Sequence, residues 1–260
     1  MRATDSPGAG VPIELTLNGE RYAADLARPI SLALPLRASA KRGRAWGAAP
    51  LTNEPVRVGD WVGDVDAGSA VNFAALSLTP HGSGTHTETV AHITKLTADN
   101  SVAAVAPLGM LAATLVDVPL RTLPDGGRVA DLRTLRGEGV HTAALVLRAL
   151  GTGHVDIDFT GTDPPYLDAG DVAWLVEEGV EHLVTDLPSL DRERDGGALA
   201  AHRAFWKFPA RVRCGATVTE LARLNQALAP GLYLLSLNAL PLEADASPSH
   251  PILYALNPAN

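Results

Sequence analysis

The chain has 260 residues, 46% of them hydrophobic and 19% charged, with a formal net charge of −8. That length supports a sizeable hydrophobic core in one large domain or two small ones, and the composition excludes a disordered chain. The acidic balance and the lack of a dense basic patch exclude a nucleic-acid partner.

Residues 1–10 are polar and contain Gly and Pro, so a frayed tail is expected. They carry no apolar stretch of the kind a signal peptide needs, and no apolar run in the chain reaches the roughly 18 residues of a membrane span. A cytoplasmic protein with no membrane partner is expected. "IELTLNGERYAADL" then reads as a hairpin. Ile13, Leu15 and Leu17 alternate, and Asn18-Gly19 is a strong turn dipeptide. "PISLALPL" reads as a short strand. Residues 37–60 are rich in Gly, Pro and charge and read as one long loop; within it the basic run Arg37 to Arg44 reads as a solvated segment.

"AVNFAALSLTP" alternates and reads as a strand leading into "HGSGTHTETVAHI". "MLAATLVDVPL" and "HTAALVLRAL" read as buried strands. "DAGDVAWLVEEGV" has apolar residues at helical spacing, Asp168 as N-cap and a stop at Gly179. "EHLVTDL" is a buried strand and "GGALAAHRAFW" a short helix. "RCGATVTEL", "GLYLLSLNALPL" and "HPILYAL" are further strands. No repeat or linker interrupts the chain. Strand–helix–strand and hairpin signals together predict a single α/β domain of mixed sheet. The one cysteine, Cys214, permits no disulfide within the chain and reads as a buried, inert thiol.

The chemistry concentrates at residues 81–93. Three of the chain's 8 histidines, His81, His86 and His92, fall there with Glu88 among them. Imidazole and carboxylate are standard ligands of zinc and manganese. His86 and Glu88 are two apart, so on an extended segment they share a face. Gly82-Ser83-Gly84 can bend His81 back toward them. His92 can be a ligand or a proton-transfer group beside one. The HExxH pattern of helical zinc proteases is absent. Further ligands must come from downstream. Glu220 ends an apolar strand, where a carboxylate is unusual unless paired or metal-bound. His202 lies on a short helix, and its spacing alone also suits a surface position. His141, His154, His182 and His250 read as structural or exposed.

"HGSGTHTETVAHI" resembles the signature of the cyclase family of metal-dependent hydrolases, the family that includes kynurenine formamidase. "RPISLALPL", "LDAGDVAWLVEEGVEHLVTDLPSLD", "GGALAAHRAFW", "TELARL" and "LPLEADASPSHPILYAL" resemble its other segments in order, so the likeness covers roughly residues 25 to 257. The resemblance implies a swivelling β/β/α fold of mixed β-sheets with surrounding helices. It implies one or two divalent ions, Zn or Mn. His81 and His86 would bind one, Glu88 would bridge, His202 and Glu220 would complete a second site, and His92 would be the general acid/base. It also implies homodimers or higher homo-oligomers, and an aromatic residue from an N-terminal loop facing the substrate; Trp46 and Trp61 are the candidates, and either could instead pack on the core. Three departures concern specificity. Glu88 stands where the formamidases have Asp, one extra residue separates His81 from His86, and Val90 replaces a common Pro. Kynurenine formamidase specificity is therefore not carried over.

The expected activity is metal-dependent hydrolysis of a small amide, formamide, lactam or related cyclic compound. A divalent metal lowers the pKa of its bound water to roughly 7, so that hydroxide is available as the nucleophile at neutral pH, and its charge stabilises the oxyanion. His92 would protonate the leaving atom, with Asp186, Ser189 and Asp191 as candidates to hold the histidine ligands. Two other readings use the same residues: a metal-assisted cyclase or dehydratase, and a non-catalytic protein that binds a metal or small molecule. A closed structural zinc site usually draws on several cysteines, and Cys214 stands alone.

Overall fold

A computed structural model describes residues 10–38, 43–107, 109–137, 140, 142–149 and 157–259. Its centre is a nine-stranded mixed sheet. In spatial order the strands are Ala246–Pro248, His86–Glu88, Thr217–Glu220, His182–Thr185, Ala144–Ala149, Leu111–Val118, Gly231–Ser236, Ile252–Ala255 and Ile30–Ser31. The four strands from Thr217–Glu220 to Leu111–Val118 run parallel. Antiparallel strands extend the sheet on both sides. Ala144–Ala149 and His182–Thr185, in the middle of this parallel set, are largely apolar runs buried on both faces, as central parallel strands must be.

Alternation along these strands separates two cores. Leu145, Leu147, Leu183 and Val218 pack on one face beneath Val172, Leu175, Ala201, Phe205 and Trp206. Ala144, Val146 and Val184 face the other way, against Leu235 and Leu253. The helix Ala169–Glu177 starts where Asp168 accepts the Gly170 and Asp171 backbone N–H groups, and Gly179 follows its end at φ 91°. The second helix, Ala200–Phe205, lies beside it on the same face. It anchors through Phe205 and Trp206, whose indole N–H donates to the Ala216 carbonyl at 3.0 Å. Among the described residues no helix is long and apolar enough to cross a membrane.

The hairpin Pro12–Leu17/Glu20–Asp25 forms in the expected register, with Asn18 and Gly19 both at positive φ, the pair that a tight type I′ turn requires. Four expectations need correction. The strand expected over "PISLALPL" is only two residues long, because the chain turns away to meet Thr85, whose hydroxyl accepts the Leu34 N–H at 2.8 Å. The long loop over 37–60 contains two short strands. Thr52–Pro55 pairs with Ala74–Ser77, and Arg57–Val58 pairs with Trp61–Val62. Their polar, Pro-containing sequence hides them, since pairing rather than burial defines them. Arg44 is not solvated: its backbone bridges Ser83 and Asp158, and its side chain faces Asp158 at 3.5 Å. Residues 39–42 of that basic run lie outside the described residues. Cys214 is exposed, in the loop that follows Val212 rather than in the strand beginning at Thr217.

Candidate metal centre

The site forms where the antiparallel strand His86–Glu88 joins the last parallel strand, Thr217–Glu220. Glu220 pairs with His86 and Val218 with Glu88. Cross-strand partners share a face, so His86, Glu88 and Glu220 all point to the helix-covered side of the sheet. Thr87 points the opposite way and bonds Thr219 at 2.7 Å. Ala246 flanks Glu88 on the other side.

Glycine geometry brings His81 back. Pro80–Gly82 is a single 3₁₀ turn, and Gly84 has φ 97°. At Gly82 any side chain would collide, since a Cβ there would stand 2.3 Å from the Ala48 Cβ. These two glycines let the chain double back so that His81 Nε2 lies 3.4 Å from Glu88 Oε2. A second 3₁₀ turn, Val90–His92, capped by Thr89, places His92 Nδ1 3.8 Å from the same oxygen.

His202 comes from the overlying helix. It is 1% exposed, not a surface residue of that helix. Its Nε2 lies 3.0 Å from Glu88 Oε1 and 3.5 Å from Glu220 Oε1. Asp191 fixes it from behind. One carboxylate oxygen accepts the Ala201 N–H at 2.7 Å; the other accepts the His202 N–H at 3.1 Å and the ring Nδ1–H at 2.5 Å. The same residue thus caps the helix and orients the imidazole so that Nε2 faces Glu88 and Glu220. His86 is held likewise by Nδ1–H donation to the Gly84 carbonyl at 2.9 Å. Glu220 Oε1 accepts the Leu190 N–H at 2.9 Å.

The cluster thus gathers His81, His86, Glu88, His92, His202 and Glu220. Of the three residues expected to hold the ligands from behind, Asp191 does so, Ser189 lines the cavity in front, and Asp186 instead accepts the Ala149 N–H. His182 is buried away from the cluster with its Nδ1 2.9 Å from the Thr217 hydroxyl, and His250 pairs with Ser31. His141 and His154 lie outside the described residues. One residue was missed by the sequence reading. Asp245 Oδ2 stands 3.3 Å from His81 Nε2 and 3.6 Å from His92 Nδ1. Its place two residues after Glu243 in a polar stretch gave no signal.

The carboxylates favour positive charge on two of the buried imidazoles. Burial of His202 works against its protonation, yet the Glu88 charge and hydrogen bonds to Asp191, Glu220 and Glu88 outweigh it and raise its pKa well above the ordinary value. Burial also opposes the charge on His86, and the Glu220 contact more than compensates, so its pKa is raised. Burial pushes Glu220 upward, but His202 and His86 hold it far below the carboxylate range. For His81 burial prevails, and the pKa falls. Meanwhile Glu88 Oε2, His81 Nε2 and His86 Nε2 are buried with no hydrogen-bond partner. Orphaned donor and acceptor atoms facing one another are costly unless an ion joins them. The described residues offer three triads with ligand atoms within 4.8 Å: His86–Glu88–Glu220, Glu88–His92–His202 and His81–His92–Asp245. The donor set, imidazole with carboxylate, fits zinc or manganese.

In front of the cluster is a cavity of about 470 Å³, with His81, His92, His202 and Glu220 in its wall. Trp46, at φ 62°, lines it together with Arg192, Glu193 and Leu199. Trp61 is not among the described lining residues. It stands on the arm formed by Thr52–Ser77, 6.2 Å from Phe73 between ring centroids.

Comparison with known proteins fits this geometry. The family model described as "Putative cyclase" matches residues 24–192. No curated protein matches the chain. Isatin hydrolase A from Labrenzia aggregata, solved with benzyl benzoate, superposes with a TM-score of 0.63 at 14% identity, over 88% of this chain and 93% of that one. Isatin hydrolase A from Ralstonia solanacearum gives 0.62 at 16% identity, over 88% and 92% of the two chains. A structure described as a predicted metal-dependent hydrolase from Bacillus stearothermophilus gives 0.58 at 15% identity, over 87% and 98%. At such identities the likeness establishes the fold.

Proposed function

We propose, because this chain belongs to the cyclase family, that it is a metal-dependent hydrolase of a small amide, formamide, lactam or related cyclic compound. The observation that carries the reading is the convergence of three buried, unpartnered ligand atoms, Glu88 Oε2, His81 Nε2 and His86 Nε2, beside a cavity. A divalent cation held there would lower the pKa of a water to about 7 and polarise a carbonyl oxygen.

His86, Glu88, Glu220, His202 and His81 would hold the cation, Zn or Mn. Asp191 keeps His202 in the ligating tautomer. His92 moves a proton to the leaving nitrogen or oxygen. It is partly exposed at the cavity wall, where Glu88 and Asp245 overcome the cost of burial and raise its pKa. An imidazole titrates near neutral pH, so it can give up a proton and regain it, as a general acid requires. Trp46 supplies an apolar wall that suits a planar ring. The cavity volume limits the substrate to a small molecule.

A homodimer is part of the proposal. The arm Thr52–Ser77 is a pair of two-stranded ribbons, and Val58, Phe73 and Leu76 on it are 66%, 57% and 64% exposed. Two-stranded ribbons are marginal in water by themselves, and grouped exposed apolar residues mark interaction surfaces. A second copy of the chain is the proposed partner. The unpaired Cys214 fits the cytoplasmic setting included in the reading.

The test is metal content, measured on protein purified without chelator, for the parent and for His86→Ala. One or two equivalents of zinc or manganese in the parent, lost in the variant, support the reading. A parent that holds neither metal, even after both are supplied, ends it. Screening N-formyl anilides, isatin and small lactams, with products identified by mass spectrometry, then separates hydrolysis from cyclisation or dehydration.

A further inference from the structure

Arg192 stands in the wall of the cavity in front of the cluster, yet its charged end is engaged elsewhere. Nε and one terminal nitrogen donate to the two oxygens of Asp163, at 3.0 and 2.8 Å. The other terminal nitrogen donates to Asp125 at 2.6 Å. A two-point grip of this kind fixes the plane of a guanidinium as well as its place. The Tyr166 ring centroid lies 5.9 Å from the central guanidinium carbon. Gly127 packs against the same carbon so closely that a Cβ there would stand 3.2 Å away.

Asp125, Gly127, Asp163 and Tyr166 are not among the described residues lining the cavity. The guanidinium is therefore drawn behind the wall, where two carboxylates face its one positive charge. Two neighbours of Arg192 in the wall, Glu193 and Asp195, are acidic. Glu193 accepts the Gly161 and Asp163 N–H groups at 2.5 and 3.0 Å, and Asp195 accepts the Gly197 and Leu199 N–H groups, both at 2.7 Å. These bonds hold the segment in place and leave its negative charge uncancelled. An anion in the cavity would meet that charge with no help from Arg192.

We infer that Asp125 and Asp163 set the charge preference of the cavity: by pairing with Arg192 they keep its cation from bound molecules, so the substrate is an uncharged planar amide rather than one carrying a carboxylate or sulfonate. The inference rests on the hydrolase reading above and narrows its substrate. Asp125 and Asp163 act through Arg192 and are positioning residues. They select by excluding the wrong charge rather than by adding a contact to the right molecule.

The probes are isatin-5-sulfonamide and isatin-5-sulfonate, close in size and different by one negative charge, offered to zinc-loaded, full-length protein. The reading is the ratio of their kcat/KM values, or of their dissociation constants by calorimetry where no product forms. The parent is expected to favour the sulfonamide. In Asp125→Asn combined with Asp163→Asn, the sulfonate should gain about fivefold to tenfold relative to the sulfonamide. Adding Arg192→Gln to that pair should remove the gain. Arg192→Gln alone should not weaken the sulfonate relative to the sulfonamide. Asparagine keeps an acceptor for the Gly127 N–H and suits the φ of 47° at position 163, so the pair should fold, which circular dichroism checks. An unchanged ratio in the asparagine pair, or a selective loss of the sulfonate in Arg192→Gln alone, overturns the inference and leaves the hydrolase reading standing. So does a parent that favours the sulfonate or takes neither probe, since metal content decides that reading separately. A parent that takes up no metal overturns both.

Discussion

Asp191 holds His202 at three points: the ring Nδ1 at 2.5 Å, the backbone N–H of the same residue at 3.1 Å, and the neighbouring Ala201 N–H at 2.7 Å. A helix cap and a ligand support are thus one carboxylate. The helix cannot shift without moving the imidazole, and the imidazole cannot turn without loosening the helix. Burial would raise the Asp191 pKa, but the His202 contact prevails and lowers it.

Asp191→Asn is therefore expected to weaken zinc binding by about 10- to 100-fold, the usual effect of losing a carboxylate behind a histidine ligand. Chelator competition measures it. The cap is weakened too, by about 1 kcal/mol, readable in urea unfolding. A variant that binds zinc as tightly as the parent contradicts the supporting role.

His92→Gln removes the proposed proton carrier and leaves His86, Glu88, His202 and Glu220 in place. Turnover of whichever substrate the screen yields should fall by about 10²- to 10⁴-fold. Bound metal should remain, as seen by elemental analysis. Loss of all metal would make His92 a ligand instead, and undiminished turnover would remove it from the mechanism.

His182 offers a pH test away from the metal. Burial lowers its native pKa below 6.5, with Glu181 opposing and Arg213 assisting. The unfolded chain takes up a proton near pH 6.5, and the native protein only at lower pH. Between those values the unfolded state holds more protons, so stability falls as pH falls. His182→Asn keeps a polar atom near Thr217 and has no such proton. Parent and variant, both metal-loaded, should differ by a constant amount above about pH 6.5. Below it the parent should lose ground in denaturant midpoints, and a pH-independent difference would count against this account.

The exposed arm predicts self-association. Sedimentation should report a dimer or larger assembly for the parent at micromolar concentration. Phe73→Glu combined with Leu76→Glu should shift it to a monomer, because charged side chains cannot be buried in an apolar contact without a partner. A parent that sediments as a monomer means that some other molecule, or none, covers the arm.

Much of this protein was legible along the chain because the relevant signals are local. Asp168 announced its helix, Asn18-Gly19 its hairpin, and the alternation of His86 and Glu88 put both on one face. Glu220 stood out because a carboxylate at the end of an apolar strand needs a partner. The resemblance of residues 81–93 to the cyclase family signature assembled the remaining ligand candidates. Other features had no local signal. The strands at 52–58 are made by pairing across the arm, and Cys214 is exposed because its loop projects. Nothing in the sequence of Asp191 distinguishes a helix cap from a ligand support, or both at once.

The sequence by itself determined the ligand types, the bend that gathers them and the family they belong to, since those depend on side-chain chemistry and short-range backbone geometry. Only the tertiary structure decided which atoms meet. It brought Asp245 to His81 and His92 from more than 150 residues away, and divided the cluster between buried residues and partly exposed ones. Sheet register and burial set that division, and both arise from contacts between segments far apart in the chain.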